Sequence, residues 1–511
     1  MRTLLALALV AGCGSPASHA SKAVEPRRPD VIVITVDTLR ADRVGAWGYE
    51  AAHTPAIDGL AARGVRFSHA ITPQPRTTPG LASLWTGLWP HHNGAMEVHY
   101  PLMEGTLISE VLTAQGYETR AVSANPAAGP DTHLDRGFGR FEVRRGIDAS
   151  EVTDIALELT REVPADQPLL LWAHYFDPHA PYEAPAAAEP PSTPGCHAVQ
   201  VDAEWSHTLN NRGGISERAW PECSRAYDAE VGWADRQIAR LLEGLDALGR
   251  RKVAFVVFGS DHGEGMGERD LWYEHGPNVH GSNLNIPLSI AGPGIPAGVV
   301  VARAVSLVDV APTLYALLGV PADSRPEADG ASLAEVVRGG DEGEGLVGAE
   351  SSDALTPLFT GSLISGRSGF GYCLNGERFA LCWEDARTPA TLHDAQADPD
   401  HQLDVAEAHP DEYAVLVAAR ARWISARREH SMSDGRFKLV ERPRLEGGYD
   451  RTLFDLTADP RETQDVAADH PDVVARLTEA LATYKQDIPG HEARPLTPDQ
   501  EAGLRALGYI E

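Results

Sequence analysis

Four stretches of the chain carry side chains able to act together. "DVIVITVDTLRAD" ends its apolar run at Asp37, and "KVAFVVFGSDHGEG" ends its own at Asp261-His262. "PLLLWAHYFDPHAPY" runs into His174, Asp177 and His179, and "QPRTTPGLASLWTGLWPHHNG" places Thr77 at the mouth of a helix. Asp37, Asp261 and His262 are metal-ligand types, with Thr77 as a fourth ligand and attacking group. Mixed oxygen and nitrogen donors suit Zn²⁺ or Mn²⁺ better than Ca²⁺, which prefers oxygen alone. Coordination would lower the pKa of the threonine hydroxyl, otherwise far too high for attack at neutral pH. Thr78-Pro79 opening a helix would point backbone N–H groups at an anion beside Thr77. His179, His174, His275 and His280 are candidates for a second metal or for protonating a leaving group. Singly, each residue has a plainer reading: Asp37 as a turn residue, Thr77 as a helix cap, His275 as a satisfied polar group. The metal-site reading rests on their conjunction.

Positioning them is the task of the elements behind. Val31–Val36, Leu169–Ala173 and Val253–Phe258 are near-continuous apolar runs, the pattern of strands buried on both faces. Residues 228–248 put Val231, Ala234, Ile238, Leu241, Leu242 and Leu245 on one helical face, with Gly249 as the expected C-terminal cap. "TLISEVLTAQG" from Thr106 and "SEVTDIALELTREV" from Ser150 read as helices opened by those capping residues. Strands alternating with helices predict an α/β sandwich, whose ligands gather beyond the carboxyl ends of the strands.

The 511 residues suffice for a large domain with an appendage, and a net charge of -29 argues against nucleic-acid binding. Residues 1–12 have the pattern of a signal peptide. Val10-Ala11-Gly12-Cys13 resembles a bacterial lipobox, implying cleavage before Cys13 and a lipid anchor on its sulfur. A plain secretory signal cut near Ala20 is the alternative. Residues 13–29 form a tether. The expectation is therefore an exported, periplasmic or cell-surface lipoprotein held to a membrane. Of the remaining cysteines, sequence order suggests pairing Cys196 with Cys223 and Cys373 with Cys382. The pattern changes near residue 345. "TLHDAQADPDHQLDVAEAHPD" and "TLFDLTADPRETQDVAADHPD" are similar, and each follows an "RF.L" strand. They mark a C-terminal subdomain, 346–511, with an internal duplication over 378–425 and 436–485.

Together "VIVITVDTLRAD", "TTPGLASLWTGLWPHHNG", "GYETRAVSANP", "DPHAPY", "FGSDHGEGMGE", "HGSNLNIPLSIAGPG" and "LVDVAPTLYALLGV" resemble the sulfatase family of the alkaline phosphatase superfamily. The resemblance covers roughly residues 30–345, and "LFDLTADPRETQDVA" is similar to the family's C-terminal subdomain. It implies an α/β/α sandwich with a mixed central sheet and a smaller C-terminal α+β unit. The departures are specific. The family's C/S-x-P-x-R motif, oxidised to formylglycine, reads Thr77-Thr78-Pro79-Gly80-Leu81 here. Its Asp-Asp pair is Asp37-Thr38, and its Asp-Asn pair is Asp261-His262. These changes resemble the phosphate-handling members, several of which use a plain threonine. The resemblance implies that His179 contacts substrate and that His280 is the later active-site histidine. The expected function is metal-dependent hydrolysis of a phosphodiester or phosphonate ester, or phosphotransfer, on a small-molecule, glycan or lipid ester. Two alternatives remain: a sulfuric ester hydrolase working without formylglycine, and an inactive lipoprotein that binds a glycan or partner.

Overall fold

A computed structural model describes residues 27–351, apart from 99, 181, 186–187, 189–219, 267, 269–271, 277 and 344. Beyond these it describes 372–375, 379–383, 391–394, 404–414, 428–443 and 449–486. Each predicted apolar run forms a strand: β1 (Asp30–Val36), β5 (Leu169–Tyr175) and β6 (Ala254–Ser260). The others of the main sheet are β2 (Val65–Ile71), β3 (Glu118–Ser123), β4 (Arg140–Val143), β9 (Asn285–Ala291) and β10 (Val299–Ser306). A short ribbon, β7 (Gly265–Met266) with β8 (Trp272–Glu274), lies between β6 and β9 in the chain. The eight-stranded order is β10-β2-β9-β6-β1-β5-β3-β4. The strands β6, β1 and β5 are adjacent and parallel, whereas β9 runs antiparallel to both its neighbours. Asp37, Asp261 and the residues after Tyr175 therefore leave the sheet at one edge, side by side.

Both faces of the sheet are covered, which is why β1 reads as unbroken apolar sequence. Val31 and Val33 join one core with the helix α2 (Thr77–Thr86), while Ile32, Ile34 and Val36 join another with the helices Ala149–Arg161 and Trp220–Ala247. This is an α/β/α sandwich on a mixed sheet. The long helix begins earlier than residue 228, and Gly249 follows it with φ +70 as expected of a cap. Two other caps differ from expectation. Asp148 caps the helix Ala149–Arg161, accepting from the N–H groups of Ser150 and Glu151. The helix Ile108–Ala114 starts after Leu107, whose N–H donates to Glu110 Oε2 at 2.8 Å. In both, a carboxylate outcompetes the hydroxyl near it in sequence.

Towards the C-terminus a four-stranded antiparallel sheet, β11-β15-β16-β17 (Val347–Glu350, His430–Ser433, Phe437–Pro443, Tyr449–Asp455), packs against the helix Pro471–Tyr484. A three-stranded sheet comprises β12 (Tyr372–Asn375), β13 (Phe379–Trp383) and β14 (Thr391–Asp394). Leu392 N–H donates to Asp404 Oδ1 at 3.1 Å, and Val405 N–H to Leu392 O at 2.7 Å. The same two bonds recur in the second repeat, Leu453 to Asp465 Oδ1 at 3.1 Å and Val466 to Leu453 O at 2.8 Å. Cys373 stands opposite Cys382 in the β12–β13 register. Cys223 is buried and disulfide-bonded, and Cys196 lies outside the described residues. So does the signal and tether segment with Cys13. Among the described residues no helix is long and apolar enough to cross a membrane.

Candidate active site

Asp37 follows directly on β1 and Asp261 on β6, and both are fully buried. The turn after Asp37 is bolted to β6. Thr38 N–H donates to Asp261 Oδ1 at 3.2 Å, Leu39 N–H to Ser260 Oγ at 3.0 Å, and the Tyr227 hydroxyl to Thr38 O at 2.8 Å. Thr38 sits at φ 53, a left-handed conformation costly for a β-branched residue. These bonds hold it there, and the turn keeps the two aspartates together.

The residue before α2, Arg76, is extended and gives the helix no side-chain cap, and the hydroxyl of Thr77, the first helical residue, meets His262 and Asn125. The hydroxyl of Thr77 is therefore not spent on its own helix. The neighbouring Thr78 hydroxyl is spent, donating to Ala127 O at 2.8 Å. Gly80 explains how close α2 comes to β6. A Cβ there would lie 2.5 Å from the Asp261 carbonyl oxygen, so any other residue would push the helix away.

The predicted ligands converge. His262 Nε2 is 3.3 Å from Thr77 Oγ1, 3.5 Å from Asp261 Oδ2 and 3.7 Å from Asp37 Oδ1. His262 Nδ1–H donates to Gly263 O at 2.9 Å, which leaves a lone pair on Nε2 facing the two acids. Asp37 Oδ1 and Asp261 Oδ2 are buried with no hydrogen-bond partner among the described residues. Two orphaned carboxylate oxygens around an imidazole lone pair fit a divalent cation and fit little else. Electrostatics point the same way. Burial and the charge of Asp37 hold the Asp261 carboxyl well above the usual carboxylate range. Burial pushes the Asp37 carboxyl up too, but the hydrogen bond from His174 and the neighbouring imidazoles bring it down to about 2. Burial also draws His262 down to about 4, keeping it neutral and able to ligate.

The other candidate histidines separate. The half-buried His179 stacks on Phe176 with ring centroids 4.5 Å apart, and its Nδ1–H donates to Ala180 O at 2.7 Å. His275 bridges it to the metal site, its ring 5.3 Å from that of His179 and 4.2 Å from that of His262. Glu264 Oε1 accepts from His275 Nδ1 at 3.1 Å. His280 points elsewhere: it caps the short helix Gly281–Leu284 through Ser282 and meets the Arg461 carbonyl at 3.3 Å, in the C-terminal unit. His174 is fully buried, with Nε2 at 3.4 Å from Asp37 Oδ2, and with Asp37 and Asp261 it forms a compact cluster of three potential ligands.

Asn125 is the residue that sequence reasoning passed over. Its Nδ2 donates to Asp37 Oδ2 at 2.7 Å and lies 3.4 Å from Thr77 Oγ1. Its Oδ1 accepts from Ala127 N–H at 2.9 Å, so the amide is held one way round. The signal was present in "SANP", a polar residue at the end of a strand parallel to β5, but Asn before Pro reads first as a turn. Leu81 is buried in the core.

A family model described as Sulfatase matches residues 29–320. Choline-sulfatase from Rhizobium meliloti (strain 1021) is 25% identical over 455 residues, covering 77% of this chain and 86% of that one. Among solved structures, phosphonate monoester hydrolase of Agrobacterium radiobacter aligns with a TM-score of 0.61 at 20% identity, covering 92% of this chain and 99% of its own. A 2-O GAG sulfatase aligns with a TM-score of 0.60 at 20% identity, covering 94% and 97%. A strand-end site of this kind, on this sandwich and within a span matched over more than half of its length, places the chain in the sulfatase family of metal-dependent ester hydrolases.

Proposed function

We propose that this chain hydrolyses a phosphodiester or phosphonate ester, or transfers its phosphoryl group, with Thr77 as the nucleophile. The observation that carries the reading is a buried, uncapped threonine hydroxyl at a helix mouth, 3.3 Å from an imidazole nitrogen whose lone pair faces two orphaned carboxylate oxygens. Asp37, Asp261, His262 and Thr77 would hold the cation. Oxygen with nitrogen donors favours Zn²⁺ or Mn²⁺ over Ca²⁺. Bound there, a divalent cation supplies Lewis acidity that makes the hydroxyl more acidic and offsets charge at phosphorus.

The chain's own residues supply the rest. Thr77 Oγ1 attacks phosphorus as the bond to the leaving oxygen breaks. Asn125 Nδ2, 3.4 Å from Thr77 Oγ1, steadies that oxygen once its proton has passed to solvent. The N–H groups in the first turn of α2 face the equatorial oxygens. His179, as imidazolium, gives its proton to the leaving oxygen, and as neutral imidazole then takes one from the water or alcohol that cleaves phospho-Thr77. Threonine favours phosphorus because a sulfated threonine has no second hydroxyl with which to expel sulfate.

The names of relatives favour a second reading, a sulfuric ester hydrolase working through unmodified threonine on a small molecule or sulfated glycan. Parallel assays on aryl phosphate, phosphodiester, phosphonate and sulfate esters, with metal analysis, separate the two. Efficient aryl sulfate cleavage with no phosphoester cleavage would overturn the phosphorus assignment. Export and a lipid anchor at Cys13 belong to the same proposal. Wild type should partition into detergent, and Cys13→Ala should stay aqueous. Disulfides Cys196–Cys223 and Cys373–Cys382 should appear in non-reducing peptide maps.

A further inference from the structure

His174 looks at first like one more metal ligand, because its Nε2 belongs to the same compact cluster as Asp37 and Asp261. Its other nitrogen argues otherwise. Thr35 and Asp37 project from one face of β1, and Trp172 and His174 from the same face of β5, with Thr35 directly opposite His174 in the register. The Thr35 hydroxyl is fully buried and has two partners among the described residues, Trp172 Nε1 at 2.9 Å and His174 Nδ1 at 2.9 Å. An indole N–H can only donate, so the Thr35 oxygen accepts from Trp172. Were His174 Nδ1 to donate as well, the buried hydroxyl hydrogen would have no acceptor among the described residues, so that hydrogen goes to His174 Nδ1. A nitrogen that accepts carries no proton, so the ring proton of His174 is on Nε2. That N–H lies beside Asp37 Oδ2, 3.4 Å away, a charge contact without full hydrogen-bond geometry.

We infer that His174 is a positioning residue, the third member of a Trp172–Thr35–His174 relay that holds the Asp37 carboxylate, and not a ligand of the metal. The relay divides the carboxylate. Oδ2 faces two donors, Asn125 Nδ2 at 2.7 Å and His174 Nε2 at 3.4 Å, while Oδ1 is left toward His262. His262 is the opposite case. A carbonyl acceptor at its Nδ1 puts the proton there and frees Nε2. Two histidines on one site thus have opposite tautomers, and each is set by whether its neighbour donates or accepts. Trp85 of α2 packs on Trp172 with ring centroids 4.9 Å apart, so the helix that carries Thr77 braces the far end of the relay.

The inference rests on Asp37 as a metal ligand, and the test keeps the two apart. Full-length protein labelled with ¹⁵N-histidine is examined by two-bond ¹⁵N–¹H correlation, metal-free and with Zn²⁺, using His174→Gln to assign the ring. His174 should show the Nε2–H tautomer in both states, while His262 shows Nδ1–H and its Nε2 resonance moves on Zn²⁺ addition. A His174 ring protonated on Nδ1, or a His174 Nε2 resonance that moves as a ligand's does, would overturn the inference. Zn²⁺ titration gives the second readout. His174→Ala and Thr35→Val should each weaken binding about 10- to 100-fold with one ion still bound. His174→Gln, whose carboxamide can still donate to Asp37, should recover most of that loss. Loss of the ion from His174→Ala and His174→Gln alike overturns it. If wild type binds no metal, the proposed function fails, and the tautomer of the metal-free protein still decides this point.

Discussion

Thr77 and His262, 185 residues apart, meet at 3.3 Å between hydroxyl oxygen and ring nitrogen, the first at the start of α2 and the second just past β6. The contact exists because Gly80 lets the first turn of the helix press on the Asp261 carbonyl. The threonine hydroxyl and the imidazole are therefore brought together by the packing of one helix on one strand end.

Thr77→Ala should lower turnover on the best phosphoester by roughly three orders of magnitude or more, as loss of a covalent nucleophile does. Its melting temperature should stay near that of wild type, because the hydroxyl contacts His262 and Asn125 and does not cap its helix. Thr77→Ser keeps the hydroxyl and should keep a measurable part of the rate. Steady-state kinetics on both variants provide the check. An unchanged rate in Thr77→Ala removes the nucleophile from the mechanism.

Asp261→Ala and His262→Ala should lose metal and activity together while remaining folded. Both residues lie beyond the last residue of β6, so no strand core is opened. Metal analysis of gel-filtered protein, with circular dichroism, reads both parts. Full occupancy in either variant refutes its ligand role. Stability of His262→Ala should fall only by the linkage that bound metal had supplied, while Asp261→Ala loses in addition the bonds from Thr38 N–H and His262 N–H.

A buried carboxyl pair predicts a pH dependence away from the metal. Asp177, two residues before His179, shares a hydrogen bond with Glu230 on the long helix. Burial, then the charge of Asp177, pushes Glu230 up to about 9. Its folded pKa is thus raised above the unfolded value, so its contribution is fully present below about pH 4.5 and is lost as pH rises through about 9. Across that window the folded chain holds the extra proton, and stability should fall by up to about 1.4 kcal/mol per pH unit. Glu230→Gln should flatten that slope. Melting temperatures of both proteins from pH 5 to 9 test this, and equal slopes would contradict it.

The convergence of Asp37, Asp261 and His262 was legible because they end apolar runs, and an apolar run long enough to be a doubly buried strand fixes where its next residue emerges. What stayed hidden depends on neighbours distant in sequence. Nothing local marks His174 as a donor to Asp37, since its proton is placed by Thr35 and Trp172 across a strand pair. Asn125 goes unread because an Asn before Pro126 suggests a turn and not a site. His280 was expected beside the nucleophile, but its bonds to Ser282 and Arg461 depend on how the C-terminal unit docks, which no spacing encodes. The caps at Asp148 and Leu107 fall one or two residues from those read off hydroxyl residues, with Asp148 accepting from Ser150 and Glu151 and Glu110 accepting from Leu107.

Rebuilding the family's motif as Thr77→Cys with Leu81→Arg tests whether the departures at Thr77 and Leu81 are separable from the fold. On sequence alone the double change restores C-x-P-x-R. In the structure Leu81 is fully buried in one apolar core with Leu84, Trp85 and strand side chains. An arginine there carries an unpaired charge into an apolar interior, which costs several kcal/mol. Leu81→Arg should therefore lower the denaturation midpoint sharply, alone or in the double variant. Thr77→Cys by itself should be well tolerated. Leu81→Met, of similar volume, should cost less than about 1.5 kcal/mol, separating charge from shape. Denaturant melts of the four proteins decide it. If the double variant is as stable as wild type and, made with the maturation enzyme, cleaves aryl sulfates, then the core beneath α2 accepts the arginine. The leucine would then be incidental to the fold, and the departure from the motif no obstacle to sulfatase chemistry.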